Sequence, residues 1–270
     1  MPVIPPYFQK NMAPTTPAPS SLPILKHRFP APKLRLHLND LAHEGTSIFL
    51  SNIKGNEDLY EQVQNVLNLL YTSESIRPGT RSVTFILRDM AGIAFTCGTP
   101  LDPDHKEIHL SVRHIAHASE EKNVRGEILG VVCHELVHCF QWVARGTCPD
   151  GLREGIADWV RLRSGLPASS WRRDANGAWD RGYQPTAYFL DYLERRFGPG
   201  TVRALNASLR EDEYDEGRLF SGCCQGHGVG ELWTNYAQYL KKEEEKAKAD
   251  GNGGSAAPPD PVPTHGVKEC

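Results

Sequence analysis

The sequence lacks the features that mark membrane-spanning and nucleic-acid-binding proteins. Its apolar runs, such as Ile48–Leu50 and Val131–Cys133, fall far short of the ~20 residues that span a bilayer. It has no basic excess either, because 33 acidic residues outnumber 30 basic ones and the formal net charge is -3. A charge of this sign does not attract nucleic acid or anionic lipid, so we expect no nucleic-acid partner and no membrane partner.

The sequence also lacks a disulfide framework and a readable signal peptide. Seven cysteines are scattered over 270 residues without the close spacing of a small disulfide-bonded scaffold. Prolines interrupt the segment Met1–Ser20, where a secretory signal would need an apolar stretch of ~7–15 residues. We therefore expect a cytoplasmic or unconventionally secreted protein, with a monomer as the simplest assembly.

What the sequence does contain is one region able to fold, flanked by segments of biased composition. Residues 1–30 are rich in Pro, Ser and Thr, which disfavour regular structure. Residues 243–270 join a charged run to Gly-rich and Pro-rich sequence. We predict two disordered tails and a single domain over residues 31–242, large enough at ~200 residues to bury a substantial core.

Hydrophobic periodicity predicts an α+β fold in which the strands precede most of the helices. Strand-like alternation or β-branched density occurs at Leu34–Leu38, Val83–Leu87 and Glu107–Val112, and helical spacing occurs over Asn56–Tyr71. We expect a mixed sheet in the N-terminal half, with the strand near Glu107–Val112 at its edge and lining a cleft.

Helical patterns dominate the second half of the domain. A long helix is predicted to open at Ser119-Glu120-Glu121 and to pack against the sheet. Glycine and proline stops then separate the later segments. The further predicted helices are Leu152–Ser164, Gln184–Phe197, Gly200–Leu209 and Gly230–Lys241.

The most informative motif is H-E-x-x-H, formed by His134, Glu135 and His138 within the predicted long helix. Residues four apart lie one turn above each other, so both imidazoles can bind one tetrahedral zinc ion. Glu135 lies to one side of that face, where it can act as a general base on a zinc-activated water. The competing interpretation is a solvated helix with this pattern by chance, but its apolar neighbours predict a buried helix whose polar groups need partners.

A third zinc ligand must come from outside this helix. A glycine and a third histidine would follow in the H-E-x-x-H-x-x-G-x-x-H version, but Gln141 and Ala144 occupy those positions. The next predicted helix offers Glu154 and Asp158, which are one turn apart. Glu154 is the expected third ligand, and Asp158 suits a hydrogen bond to the free ring nitrogen of a zinc-bound histidine. The alternative is an exposed acidic face paired with neighbouring arginines.

These motifs resemble the plant basic secretory proteins and their bacterial and fungal relatives, a family grouped with the gluzincin-type zinc peptidases. The resemblance covers about residues 33–240 and implies a zincin-like, zinc-dependent peptidase domain with His134, His138 and Glu154 as ligands. The net negative charge and the lack of a readable signal depart from the family's secretion and defence associations. The matching segments are His134-Glu135-x-x-His138 with Gln141-Trp142, Gly151-Leu152-x-Glu154-Gly155-Ile156-Ala157-Asp158 with Val160-Arg161-Leu162 and Gly165, Trp179, Gly182-Tyr183, Thr186-Ala187 and Phe189-Leu190-Asp191-Tyr192.

Related enzymes use a tyrosine or histidine downstream of the third ligand to stabilise the oxyanion, and the resemblance implies Tyr183 for this role. A core or helix-capping tyrosine is the alternative. His227, between two glycines, is a second donor candidate, although a flexible exposed loop explains it better. Cys133 and Cys139 are expected to be buried packing thiols, since six residues apart on one helix they point in different directions.

The expected function is hydrolysis of a peptide or protein substrate, with Glu135 taking a proton from water and returning it to the leaving amine. One alternative is a catalytically inactive zinc-binding protein with a binding or defence role. Another is a purely structural zinc site, which would be closed by a fourth side chain such as Cys148 or His227.

Overall fold

The computed structural model describes residues 28–118 and 122–249, and these contain four strands and nine helices. Within that part, no helix is both long and apolar enough to cross a membrane. Residues 1–27, 119–121 and 250–270 are outside it, and with them most of both predicted tails and the predicted helix start at Ser119.

The elements are β1 (Lys33–Leu38), α1 (Glu44–Asn52), α2 (Gly55–Leu70), β2 (Ser82–Arg88), β3 (Ala94–Thr99), β4 (Asp102–Ser111), α3 (Val112–His117), α4 (Val124–Phe140), α5 (Asp150–Arg163), α6 (Tyr183–Phe197), α7 (Thr201–Ser208), α8 (Glu216–Cys223) and α9 (Val229–Ala249).

The sheet is mixed and has the strand order β1-β2-β4-β3. The first three strands in this order are parallel, whereas β3 runs antiparallel to β4 and forms one edge. The predicted α+β class, with a mixed N-terminal sheet followed by a largely helical half, is confirmed. The parallel strands β2 and β4 supply the buried residues Phe85, Leu87 and Ile108 to the core.

The predicted edge position of Glu107–Val112 is wrong. Glu107–Ser111 belong to β4, which is paired with β2 on one side and β3 on the other. Val112 instead begins α3, because the Ser111 hydroxyl caps the helix by accepting from the His114 amide at 3.3 Å. The sequence patterns missed β3 because Ala94–Thr99 has no clear apolar alternation and includes a glycine.

The long helix α4 is the centre of the domain. It packs against α2 and α5 and against β3 and β4. Twelve of its 17 residues are buried, so the polar side chains among them must find partners inside the protein. It starts at Val124, where the Asn123 side chain accepts from the Gly126 amide at 2.9 Å.

Two glycines let α5 lie unusually close to the segment around α6. A Cβ atom at Gly155 would lie 2.2 Å from Thr186 Cγ2, and one at Gly151 would lie 1.7 Å from the Asp180 carbonyl oxygen. The Thr186 side chain cannot turn away easily, because its hydroxyl donates to the Trp179 carbonyl at 2.7 Å. The close approach places the first turn of α6 beside Glu154 of α5.

The observed helices differ from the predicted ones chiefly in number and at the C-terminal end. The patterns did not predict α1, α3 and α8, which are only 9, 6 and 8 residues long and too short to show a clear period. The last helix runs to Ala249 rather than Lys241, so residues 243–249, placed in the tail by sequence, are helical. Its final turns are rich in Glu and Lys, which favour helix without needing burial.

The N-terminal edge of the domain also includes one residue assigned to the tail by sequence. Phe29 is 2% exposed and belongs to the core. The side chain of Gln64 accepts from its backbone N–H at 2.8 Å and donates to its carbonyl oxygen at 2.9 Å. These bonds anchor the chain against α2 ahead of β1.

Candidate active site

The site begins with two histidines one turn apart on α4. His134 and His138 place their rings in an edge-to-face arrangement with centroids 4.9 Å apart. Their Nε2 atoms lie 3.2 Å from each other. The i, i+4 spacing predicted this convergence, and the burial of α4 keeps both rings turned toward the same neighbour, α5.

Glu154 on α5 completes a three-atom cluster. Its Oε2 lies 3.0 Å from His134 Nε2 and 3.5 Å from His138 Nε2. Donor atoms at ~2.0–2.1 Å from a tetrahedral zinc ion are about 3.3–3.4 Å apart, so the three separations fit such an ion. We name these three residues the helix cluster; the structure thus brings together the two histidines and the acid that the sequence singled out.

The hydrogen bonds around the helix cluster leave the two Nε2 atoms free to bind a cation. The Asp158 carboxylate accepts from His134 Nδ1 at 2.7 Å, which makes that nitrogen the donor and turns the Nε2 lone pair toward the cluster. Burial alone would lower the pKa of His134, but hydrogen bonds to Asp158 and Glu154 outweigh it and raise the pKa to about 9. In the absence of a metal, a proton therefore supplies the positive charge that these converging atoms require.

Glu154 responds in the opposite direction. Burial tends to raise its pKa, and the hydrogen bonds to His134 and His138 more than reverse this, holding the pKa well below the usual glutamate range. The carboxylate is therefore ionised at neutral pH, as a metal ligand must be.

Gln141, which follows α4 directly, is a site residue that the sequence analysis missed. Its amide nitrogen Nε2 lies 2.7 Å from His138 Nδ1, and its amide oxygen Oε1 is buried without a hydrogen-bond partner. Turning the amide by 180° lets Oε1 accept a hydrogen bond from His138 Nδ1–H. Gln141 then does for His138 what Asp158 does for His134. The sequence identifies Gln141 only within the segments that resemble the family and indicates no role for it.

Glu135 is held against the edge strand. Its side chain is buried beside β3, where the Thr96 hydroxyl donates to Oε2 at 2.7 Å and lies 3.0 Å from the Glu135 carbonyl oxygen. Thr96 was also missed, because no sequence pattern identified β3. This contact fixes the Glu135 carboxylate at the border between the helix cluster and the cleft.

Tyr183 lies over the helix cluster from the α6 side. Its ring is nearly parallel to that of His134, with centroids 6.1 Å apart and an interplanar angle of 11°. The nearby Glu154 carboxylate and then burial raise the pKa of Tyr183, so the phenol remains a proton donor. Gly182, with φ +80°, precedes it and permits the close approach to Glu154.

The other residues considered from sequence lie elsewhere. His227 Nδ1 donates to the Glu231 carboxylate at 2.9 Å, and the ring packs on Phe197 and does not line the cleft. Cys148 contacts the carbonyl oxygen of Pro149 and is likewise not a lining residue. Cys133 and Cys139 are buried, as expected of packing thiols.

The helix cluster opens into a cleft of about 950 Å³. Six consecutive residues, Ile93–Gly98, line one wall, which shows that the cleft runs along the free edge of β3. The opposite wall includes Arg153, Tyr183 and Gln184. The cleft therefore combines an unpaired strand edge with the helix cluster and Glu135.

Comparison with known proteins agrees with these features. A family model described as BSP, peptidase of plants and bacteria, matches residues 31–236, and the chain belongs to this family. The resemblance inferred from the sequence motifs is thereby confirmed, and the protein is peptidase-like. Comparison with curated proteins and with solved structures gives no significant match.

Proposed function

We propose that this protein is a zinc-dependent peptidase of the gluzincin type, in which His134, His138 and Glu154 hold the metal. The observation that carries the proposal is the convergence of two Nε2 atoms and one carboxylate oxygen at 3.0–3.5 Å. When bound there, zinc supplies Lewis acidity, which polarises a carbonyl group and makes water a better nucleophile near neutral pH.

The remaining side chains support peptide hydrolysis. Glu135 takes the proton from the attacking water and returns it to the leaving amine, and the Thr96 hydroxyl holds its carboxylate in place. The Tyr183 phenol donates a hydrogen bond to the oxyanion as the carbonyl carbon becomes tetrahedral. Asp158 and Gln141 keep the two imidazoles oriented.

The free edge of β3 supports a peptide or protein as substrate. An extended peptide can lie along this edge and form main-chain hydrogen bonds with it, as in strand addition to an exposed sheet edge. Such a peptide would pass Thr96 and Glu135, which puts a scissile bond within reach of the general base. No part of this arrangement requires a nucleic acid, a membrane or a second subunit.

A structural zinc site is less well supported. It would need a fourth protein ligand, and the two candidates, Cys148 and His227, do not line the cleft. A turnover measurement distinguishes the inactive zinc-binding alternative from the peptidase, because the alternative predicts a metal-loaded protein that cleaves no peptide.

The test is metal content together with hydrolysis of a mixed library of fluorogenic peptides. Wild type is expected to hold about one zinc ion per chain at this site. His134→Ala and Glu154→Ala are each expected to lose that ion. Glu135→Gln is expected to keep the zinc and to lose about 10²–10⁴-fold in turnover, since a general base contributes this much. Glu61→Gln, an exposed carboxylate on α2, is the control. Full turnover in Glu135→Gln would overturn the mechanism, and zinc-loaded wild type with no turnover would favour the inactive alternative.

A further inference from the structure

A second group of metal-binding side chains occurs on β3 and β4, outside the helix cluster. It consists of Cys97, Glu107 and His109. In the antiparallel ladder Cys97 is opposite Glu107, and Phe95 is opposite His109. Cross-strand partners share a face of the sheet, as do residues two apart, so all three donors project from one face. This is the face away from α4, because Thr96, between Phe95 and Cys97, points to α4.

The donor atoms of this strand cluster are close together. They lie within 4.8 Å of one another, and His109 Nε2 is 3.4 Å from Glu107 Oε2. The His109 side chain is 11% exposed, and its Nδ1 is buried without a hydrogen-bond partner. The Phe95 ring stacks on the imidazole at 4.4 Å and 9°, which holds it in position. The ring nitrogen nearest Glu107 is Nε2, so Nε2 is the atom that would bind a cation in this cluster.

We propose that Cys97, Glu107 and His109 form a second zinc site on the outer face of the β3–β4 ladder. A set of one sulfur, one nitrogen and one oxygen donor matches zinc better than calcium or magnesium, which prefer oxygen alone. The site is separate from the helix cluster and does not depend on the proposed peptidase function.

With three protein ligands this site is an open one rather than a closed structural one, and its occupancy is expected to stiffen the edge strand. One ion on these side chains would join β3 to β4 on the face away from α4, next to the free edge that borders the cleft. The donor atoms must close from as much as 4.8 Å to about 3.3 Å, so binding is expected to be weaker than at the helix cluster. The fourth position is left to water.

Cobalt(II) titration of the full-length protein tests this site directly. The helix cluster contains no sulfur, so a near-ultraviolet thiolate-to-cobalt charge-transfer band can report only a cysteine ligand. Wild type is expected to bind about two ions per chain and to show the band. Cys97→Ser is expected to lose the band and about one ion, whereas Glu154→Ala keeps the band and loses the other ion.

Two further variants make the result specific. Cys223→Ser removes a half-buried thiol on α8 and is expected to keep the band. Glu107→Gln keeps the thiol but removes an anionic ligand, so the cobalt concentration needed for the band should rise at least about tenfold. A wild-type protein without the band, or a band that persists in Cys97→Ser, would overturn the second site. A wild-type protein that shows the band but binds no metal at the helix cluster would contradict only the proposed peptidase function.

Discussion

The helix cluster and the strand cluster use similar donors but are assembled differently. The donor atoms of the helix cluster are 3.0–3.5 Å apart, and each histidine is held by a second residue, Asp158 or Gln141. The donor atoms of the strand cluster are spread over as much as 4.8 Å, and only Phe95 supports its imidazole. One cluster is preorganised by two packed helices, and the other depends on neighbouring positions in an edge ladder.

The difference shows how packing depth affects a binding site. α4 and α5 are buried on most sides, so their polar side chains have few alternative positions. In the strand cluster only His109 is buried, whereas Cys97 and Glu107 are partly exposed and lose side-chain freedom when a ligand binds. We therefore expect substitutions in the helix cluster to affect metal binding and catalysis strongly. Substitutions of the residues around the cluster should have smaller effects on the same quantities.

After the general base Glu135, the largest expected effect among residues that do not bind metal comes from Tyr183→Phe. Removing the phenol should lower turnover by about 10²–10³-fold, because one oxyanion donor is lost, while zinc content stays unchanged. Peptidase kinetics and metal analysis measure the two quantities separately. Tyr188→Phe, on the same helix but outside the cleft, is the control. Equal turnover in both variants would remove Tyr183 from the mechanism.

A smaller effect is expected from the residues that orient the histidines. Asp158→Asn should weaken zinc binding about 10–100-fold, since it removes the charged acceptor of His134 Nδ1. Gln141→Ala should weaken it less, because the lost partner of His138 is neutral. Competition with a chelator of known affinity measures both, with the exposed Asp212→Asn as the control. Unchanged affinity in Asp158→Asn would show that the hydrogen bond does not support the site.

The packing of α5 on α6 can be tested through Gly155→Ala. The added methyl group would lie 2.2 Å from Thr186 Cγ2, and the overpacking should cost about 1–3 kcal/mol of the free energy of unfolding. The helix cluster should lose zinc affinity, while the strand cluster should keep its cobalt band. Gly222→Ala in α8, where nothing lies within 4 Å, should be neutral or slightly stabilising. Denaturant unfolding that shows no difference between these variants would contradict the close approach.

The smallest expected effect is a pH dependence of the metal-free protein. The pKa of His134 is raised from 6.5 to about 9, so its contribution to stability is full below pH 6.5 and is lost as the pH rises through about 9. With a chelator present, the melting temperature of wild type should be a few degrees lower at pH 9.5 than at pH 6. This difference should exceed the corresponding difference in His134→Gln. Glu154 stays ionised over this range because its pKa is lowered. Identical pH profiles for wild type and His134→Gln would refute the assignment.

Some of the candidate site could be read from the sequence because it depends on local geometry. The spacing of His134 and His138 places both rings on one face of any helix, and Glu154 and Asp158 share a face in the same way. The packing of α4 against α5 then joins the two faces. Tyr183 could be named only through the family resemblance, since nothing in its local pattern identifies it.

The rest of the site depends on which strand lies where. β3 carries Thr96 and Cys97 and borders the cleft, yet its sequence Ala94–Thr99 shows no clear apolar alternation. For the same reason the edge position was assigned to β4, whose stronger pattern in fact comes from burial between two neighbours. Gln141 had no distinguishing pattern, because its role depends on a single contact with His138.

The sequence by itself determined the α+β class, the long buried helix and the i, i+4 spacing of the two histidines, because these follow from periodicity within one segment. Only the tertiary structure decided that β3 is the edge strand, that Thr96 holds Glu135, and that Cys97 lies opposite Glu107. Those relations join segments that are distant along the chain or depend on strand register. Register is set by the burial of a whole face of the sheet, and the residues of one strand alone do not specify it.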